Sequence, residues 1–214
     1  SVFHDLQGTK EEILKIEELL KRNKWQVSSY MGKNGTEESF LNMHGKSPKL
    51  LHLATHGFYY TPNRAENVDY LKGYTDAMSL SGLVMSGGNA AWLGKQLPKG
   101  VLGGILTAND IARLDLSNTD MVVLSACQTG QGKATSEGLY GLQRAFKKAG
   151  VGTIVMSLWN VSDKTTSEFM TTFYERLADK KNAWNKRKAF EEAKEIIRQK
   201  HPDPFHWAAF VMLD

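Results

Sequence analysis

Three continuous apolar runs, "KLLHLATHG", "MVVLSAC" and "VGTIVMSLW", are separated by segments whose apolar residues recur at helical spacing. No other feature of the chain constrains its fold as tightly. A run that is apolar at nearly every position has no face to spare for water, so each predicts a strand buried on both sides. Strands of that kind belong to parallel sheets covered by helices on both faces. "SEGLYGLQRAFKKAG" puts Leu139, Leu142, Ala145, Phe146 and Ala149 on one helical face, with Gly150 at its C-terminal stop position. Helices are also predicted near Asp163 to Ala178, with Phe169, Met170, Phe173 and Leu177 inward, and near Asn185 to Gln199. "WAAFVML" reads as a last strand. The expectation is one α/β domain spanning residues 1–214, with a mostly parallel sheet, helices on both faces and right-handed crossovers.

The first part of the chain fits less neatly. Thr9 followed by Glu12 matches a capping box opening a helix, along which Ile13, Ile16, Leu19 and Leu20 form an apolar stripe. Asn34-Gly35 marks a turn, and Thr36 caps a short helix after it. The "KLLHLATHG" strand is expected to stop at Gly57. Phe58 to Gly104 then reads as a long irregular rim containing one strand-like piece, "LSGLVMSG". A structureless stretch of that length inside a compact domain is usually functional. Thr107 with Asp110 opens another short helix. A sheet of this type ordinarily begins with a strand, whereas this chain begins with a loop and a helix. A first strand upstream of Ser1 is therefore expected, which makes the chain either a trimmed fragment or the C-terminal piece of a cleaved precursor.

Gross composition excludes several function classes. No stretch approaches 18 consecutive apolar residues, so no membrane span is predicted. The single cysteine cannot form an internal disulfide, and a reducing, cytoplasmic location is the simple expectation. The net charge is +4. Its excess of Lys and Arg lies between Arg176 and Lys200, where Glu191, Glu192 and Glu195 are interleaved. A solvated helix face explains this better than a nucleic-acid patch, so no nucleic-acid partner is expected. His52 and His56 lie four apart, which on a strand spans about 13 Å. That is too far for one metal ion, and no Cys or carboxylate cluster supports His201 and His206. "SGGNAAWLG" is no P-loop, and no G-x-G-x-x-G opens a helix after a strand. Neither metal nor cofactor is expected.

In an open α/β sheet the ligand crevice lies at the carboxyl ends of the strands. There the first strand delivers Thr55, His56 and Gly57, the second Ser125, Ala126, Cys127 and Gln128, and the third Ser157, Leu158, Trp159 and Asn160. His56 and the sole cysteine thus arrive at one edge from two strands, about 4.8 Å apart if adjacent. An imidazole beside a thiol lowers the thiol's pKa and can move protons for it. The backbone N–H groups of Gly57 and Cys127 are candidate oxyanion donors. Residue chemistry alone leaves a rival, in which Cys127 fills a core and His56 is structural.

"LLHLATHG", "LSGLVMSGGN", the run from "GGILTAND" through "VVLSACQTG" to "SLWNVSD", and "FHWAAFVMLD" together resemble the CHAT domain, a caspase-like cysteine peptidase domain related to separases. The resemblance extends from about Leu6 to the end. It implies a caspase–hemoglobinase-like three-layer sandwich and a His–Cys dyad of His56 and Cys127, with Gly57 and Cys127 supplying the oxyanion donors. The family's opening strand is not present. Tetratricopeptide repeats upstream are the implied regulatory partner. The implied activity is limited proteolysis of a specific protein substrate, in bacterial immunity or cell death; the alternative is a catalytically inactive interaction module. "SLWNVSDKTT" resembles a separase loop, by which Trp159 would wall the first specificity pocket and Asp163 would supply its charge. Asp163 as a first-turn helix acid is the competing role. Asp76, in the rim, is a second acidic candidate. Without a carboxylate at the pocket floor, a Leu or Met side chain replaces a basic one as the preferred residue. No Arg stands near the three strand ends, which argues against a preference for aspartate.

Overall fold

The computed structural model describes residues 3, 4, 6–61, 68–125, 127–128 and 136–214. Its main sheet has strand order β1 (Leu50–Leu53), β5 (Met121–Leu124), β7 (Thr153–Ser157), β8 (Phe210–Leu213). The first three are mutually parallel, with Leu51 opposite Val122 and Val122 opposite Ile154. β8 runs antiparallel to β7. Residue alternation sorts the sheet's side chains into two cores. Met121, Val123, Val155, Phe210 and Met212 face α1 (Gln7–Arg22), α6 (Asp163–Ala178) and α7 (Lys186–Lys200). Leu51, Val122, Leu124, Ile154 and Met156 face α2 (Glu37–Leu41), α4 (Ala108–Ala112) and α5 (Ser136–Lys148). Both faces are therefore dry, as the unbroken apolar runs require. Phe169 stacks flat on Phe210, ring centroids 3.9 Å apart, which fastens α6 to the antiparallel edge.

A second sheet, order β4 (Ile105–Thr107), β3 (Ser81–Val84), β2 (His56–Tyr59), β6 (Cys127–Gln128), continues from the first. β4, β3 and β2 are antiparallel, and β2 pairs parallel with β6. The "KLLHLATHG" run is thus not one strand ending at Gly57. It breaks at Ala54 and Thr55, where the Thr55 hydroxyl donates to the Val84 carbonyl at 2.5 Å, and resumes as β2 through Tyr59. "MVVLSAC" divides in the same way between β5 and β6. Much of the supposed irregular rim is ordered by this sheet, by α3 (Gly88–Trp92) and by a third core of Phe58, Tyr60, Leu71, Leu80, Val84, Trp92 and Ile105. Gly82 is obligatory in β3, because a Cβ there would lie 2.3 Å from the Leu106 carbonyl oxygen and 2.9 Å from the Phe58 ring.

Other local signals divide by whether tertiary contacts competed with them. Thr36 caps α2, and Thr107 with Asp110 makes a complete capping box on α4. Gly150 ends the α5 segment at φ +97°. The proposed Thr9–Glu12 box does not form: α1 starts at Gln7 with Leu6 at its cap position. Glu12, only 2% exposed, instead accepts a hydrogen bond from His52 Nε2 at 2.7 Å. A buried carboxylate gains more from an imidazole than from one end of a helix. "WAAFVML" is shorter as a strand than predicted, because a helical turn, α8 (Pro204–Trp207), capped by Asp203, precedes it. The outer edge of β1 has no strand partner among the described residues. None of the described helices is long and apolar enough to cross a membrane.

Candidate active site

His56 opens β2 immediately beyond the carboxyl end of β1, and Cys127 opens β6 beyond the end of β5. The β2–β6 register sets the two residues directly opposite each other, His56 against Cys127 and Gly57 against Gln128. In a parallel pair this places their backbones about 4.8 Å apart. What the structure describes of Cys127 is its backbone. The two sequence candidates for nucleophile and proton carrier therefore meet at one point of the fold, where the main sheet hands over to the second.

His56 is 8% exposed. Its Nε2 lies 2.5 Å from the backbone carbonyl oxygen of His4. A carbonyl only accepts, so Nε2 carries the hydrogen, and in the neutral ring Nδ1 holds the lone pair. The Phe3 ring lies beside the imidazole, centroids 5.5 Å apart. Gly57 sits between strands, opposite Leu83 on one side and Gln128 on the other.

The three pocket candidates have separate surroundings. Trp159 follows β7; its Nε1 donates to the Phe205 carbonyl at 2.9 Å and its ring faces that of Phe205. Asp163 is the first residue of α6, next to the Ser162 cap, so the helix dipole favours its charge. Its backbone packs against Gly8 at the start of α1. Asp76 is exposed and closes a turn: its carboxylate accepts from the Ser79 amide at 2.9 Å and from Asn109 Nδ2 at 3.1 Å. Hydrogen bonds from Ser79, chiefly, hold that carboxyl below its ordinary pKa. His52, four residues before His56, points to the α1/α6 face, where Nε2 meets Glu12 and Nδ1 meets the Tyr174 hydroxyl at 3.0 Å. His201 Nε2 bonds Glu168 at 2.9 Å.

Sequence reasoning missed Phe3 and His4, which touch His56, and Asn89 and Trp92, which touch Phe3. Asn89 lies inside the "SGGNAAW" segment, whose glycines drew notice only as a rejected phosphate loop. Nothing in the sequence marks Phe3 or His4.

A doubly covered, mostly parallel sheet, with a histidine and a cysteine in register beyond two adjacent strand ends, defines a caspase-like α/β domain. The chain belongs to the CHAT domain family, a caspase-like, peptidase-related family whose model matches residues 1–214. It is 32% identical over 111 residues, 51% of its length, to tetratricopeptide repeat protein 28 of Mus musculus, and equally so to that of Homo sapiens. The matched stretch is 4% of the length of those relatives.

Proposed function

We propose that this domain is a cysteine endopeptidase that cuts a specific protein partner at few sites. The observation that carries the proposal is the direct opposition of His56 and Cys127 in the β2–β6 ladder, within a family related to caspase-like peptidases. The Cys127 thiol passes its proton to His56, and the resulting thiolate attacks the scissile carbonyl carbon, forming a C–S bond while the carbonyl electron pair moves to oxygen. The backbone N–H groups of Gly57 and Cys127 receive that oxyanion. The C–N bond breaks as His56 gives its proton to the leaving amine. Water then attacks the thioester, and the acid and the free thiol are released.

Trp159 and Asp163, in the segment after β7, are the proposed walls of a specificity pocket, with Asp76 as a further acidic candidate. The names of the relatives support tetratricopeptide repeats as the regulatory partner. A bacterial immune or cell-death setting and a reducing cytoplasm complete the proposal. The test is cleavage of a diverse peptide library by the wild-type protein, Cys127→Ala and His56→Ala. Cleavage by the wild type alone supports the dyad; undiminished cleavage by both variants removes it. One observation favours a second reading, an inactive interaction module: the His4 carbonyl already occupies His56 Nε2.

A further inference from the structure

The chain's own N-terminal segment lies on His56 in the manner of a bound peptide. Asn89 reads the backbone of Phe3 at both polar groups. Its Oδ1 accepts from the Phe3 amide at 2.9 Å, and its Nδ2 donates to the Phe3 carbonyl at 2.8 Å. A carboxamide used in this way reproduces the two-point pairing of a neighbouring strand, and it recognises any residue in extended conformation. The Phe3 side chain is 5% exposed, seated edge-on against Trp92 with centroids 5.1 Å apart and beside His56. Phe58 and Tyr60, at 4.9 and 5.3 Å from Trp92, complete an aromatic pocket. The next residue delivers its carbonyl to His56 Nε2. Four residues further on, Gly8 packs against Asp163. Backbone clamp, apolar anchor and a carbonyl on the proton carrier are together what a peptidase needs to hold a substrate.

We propose that residues 3 and 4 are an internal plug in the peptide-binding cleft, and that the pocket they fill is the subsite for a large apolar side chain of the substrate peptide. The proposal rests on the peptidase reading, deepens it, and assigns Asn89 and Trp92 as substrate-binding residues. It also accounts for an occupied His56 in a domain equipped to cut. A plug that shares its clamp and its anchor with the substrate competes with it directly. Because α1 begins at Gln7, a displacement of that helix withdraws the plug.

The experiment measures binding of acetyl-Phe-His-N-methylamide by calorimetry. Phe3→Ala should bind it about tenfold more tightly than the wild type, since a plug seated most of the time masks that much affinity. Adding Asn89→Ala should remove the gain. Peptide-library cleavage is read alongside: tighter binding by Phe3→Ala with no cleavage by any form fails the peptidase reading alone, and cleavage with equal binding fails the plug alone. Equal affinity in wild type and Phe3→Ala overturns the proposal. Should Phe3→Ala not fold, Asn89→Ala alone carries the test through iodoacetamide labelling of Cys127. A faster rate than wild type supports a loosened plug, and an unchanged rate overturns it.

Discussion

Glu12, His52 and Tyr174 form a buried chain between α1, β1 and α6, and removing its middle member should destabilise the domain severely. Tyr174 is fully buried and Glu12 is 2% exposed. A carboxylate only accepts, so His52 Nε2 donates to Glu12. Burial, with the Glu12 charge adding, pushes the Tyr174 hydroxyl well above its ordinary pKa. It shares a hydrogen bond with His52 Nδ1 at 3.0 Å. His52→Leu leaves the carboxylate without this imidazole in an apolar setting, at a cost of about 3–5 kcal/mol. For a chain of this size that lowers Tm by roughly 6–20 °C. Tyr174→Phe removes one hydroxyl and should cost about 1 kcal/mol. The double variant Glu12→Leu/His52→Leu replaces the hydrogen-bonded pair with packed hydrocarbon and should be less destabilised than the sum of its parts. Urea unfolding of the two single variants and the double one measures this coupling. Strict additivity, or a His52→Leu cost below about 1 kcal/mol, would refute the buried chain as the link between α1 and the sheet.

Other elements make simpler predictions. Hydrogen bonding to Lys200, then to His201, holds the Glu168 carboxyl below its ordinary pKa. Its contribution is complete above the unfolded carboxyl pKa of about 4.3 and is lost as pH falls through the lower folded value. Glu168→Gln should therefore cost about 0.5–1 kcal/mol near pH 7, given a partly exposed pair. Calorimetric melts should show its Tm deficit vanish in acid. Thr107→Val removes the α4 cap and should cost about 1 kcal/mol, read as a lower urea midpoint at constant slope.

The strands of the main sheet and helices α5, α6 and α7 were readable because their signal is periodic and burial enforces it. The Thr107–Asp110 box was readable because, among the described residues, the Asp110 carboxylate is hydrogen-bonded by its neighbour Thr107 and not by a distant side chain. The same pattern misled at Thr9–Glu12 because His52, forty residues away, took the carboxylate. The break at Ala54 and Thr55 is silent in sequence: an apolar run looks alike whether it serves one sheet or two. β4 is only three residues long, too short to show a period. His56 and Cys127 could be singled out because strand ends locate the crevice. Phe3 and Asn89 could not, because their pairing joins residues 86 apart and needs the second sheet to place Trp92.

The His56–Cys127 dyad is tested most directly by intact-mass kinetics with a peptidyl acyloxymethyl ketone, which reacts irreversibly with an activated thiolate. The geometry predicts one adduct per chain, on Cys127, forming at least about a hundredfold more slowly in His56→Ala, the span expected for loss of a positioned proton carrier. No adduct on Cys127, or one forming equally fast without His56, would contradict a catalytic dyad.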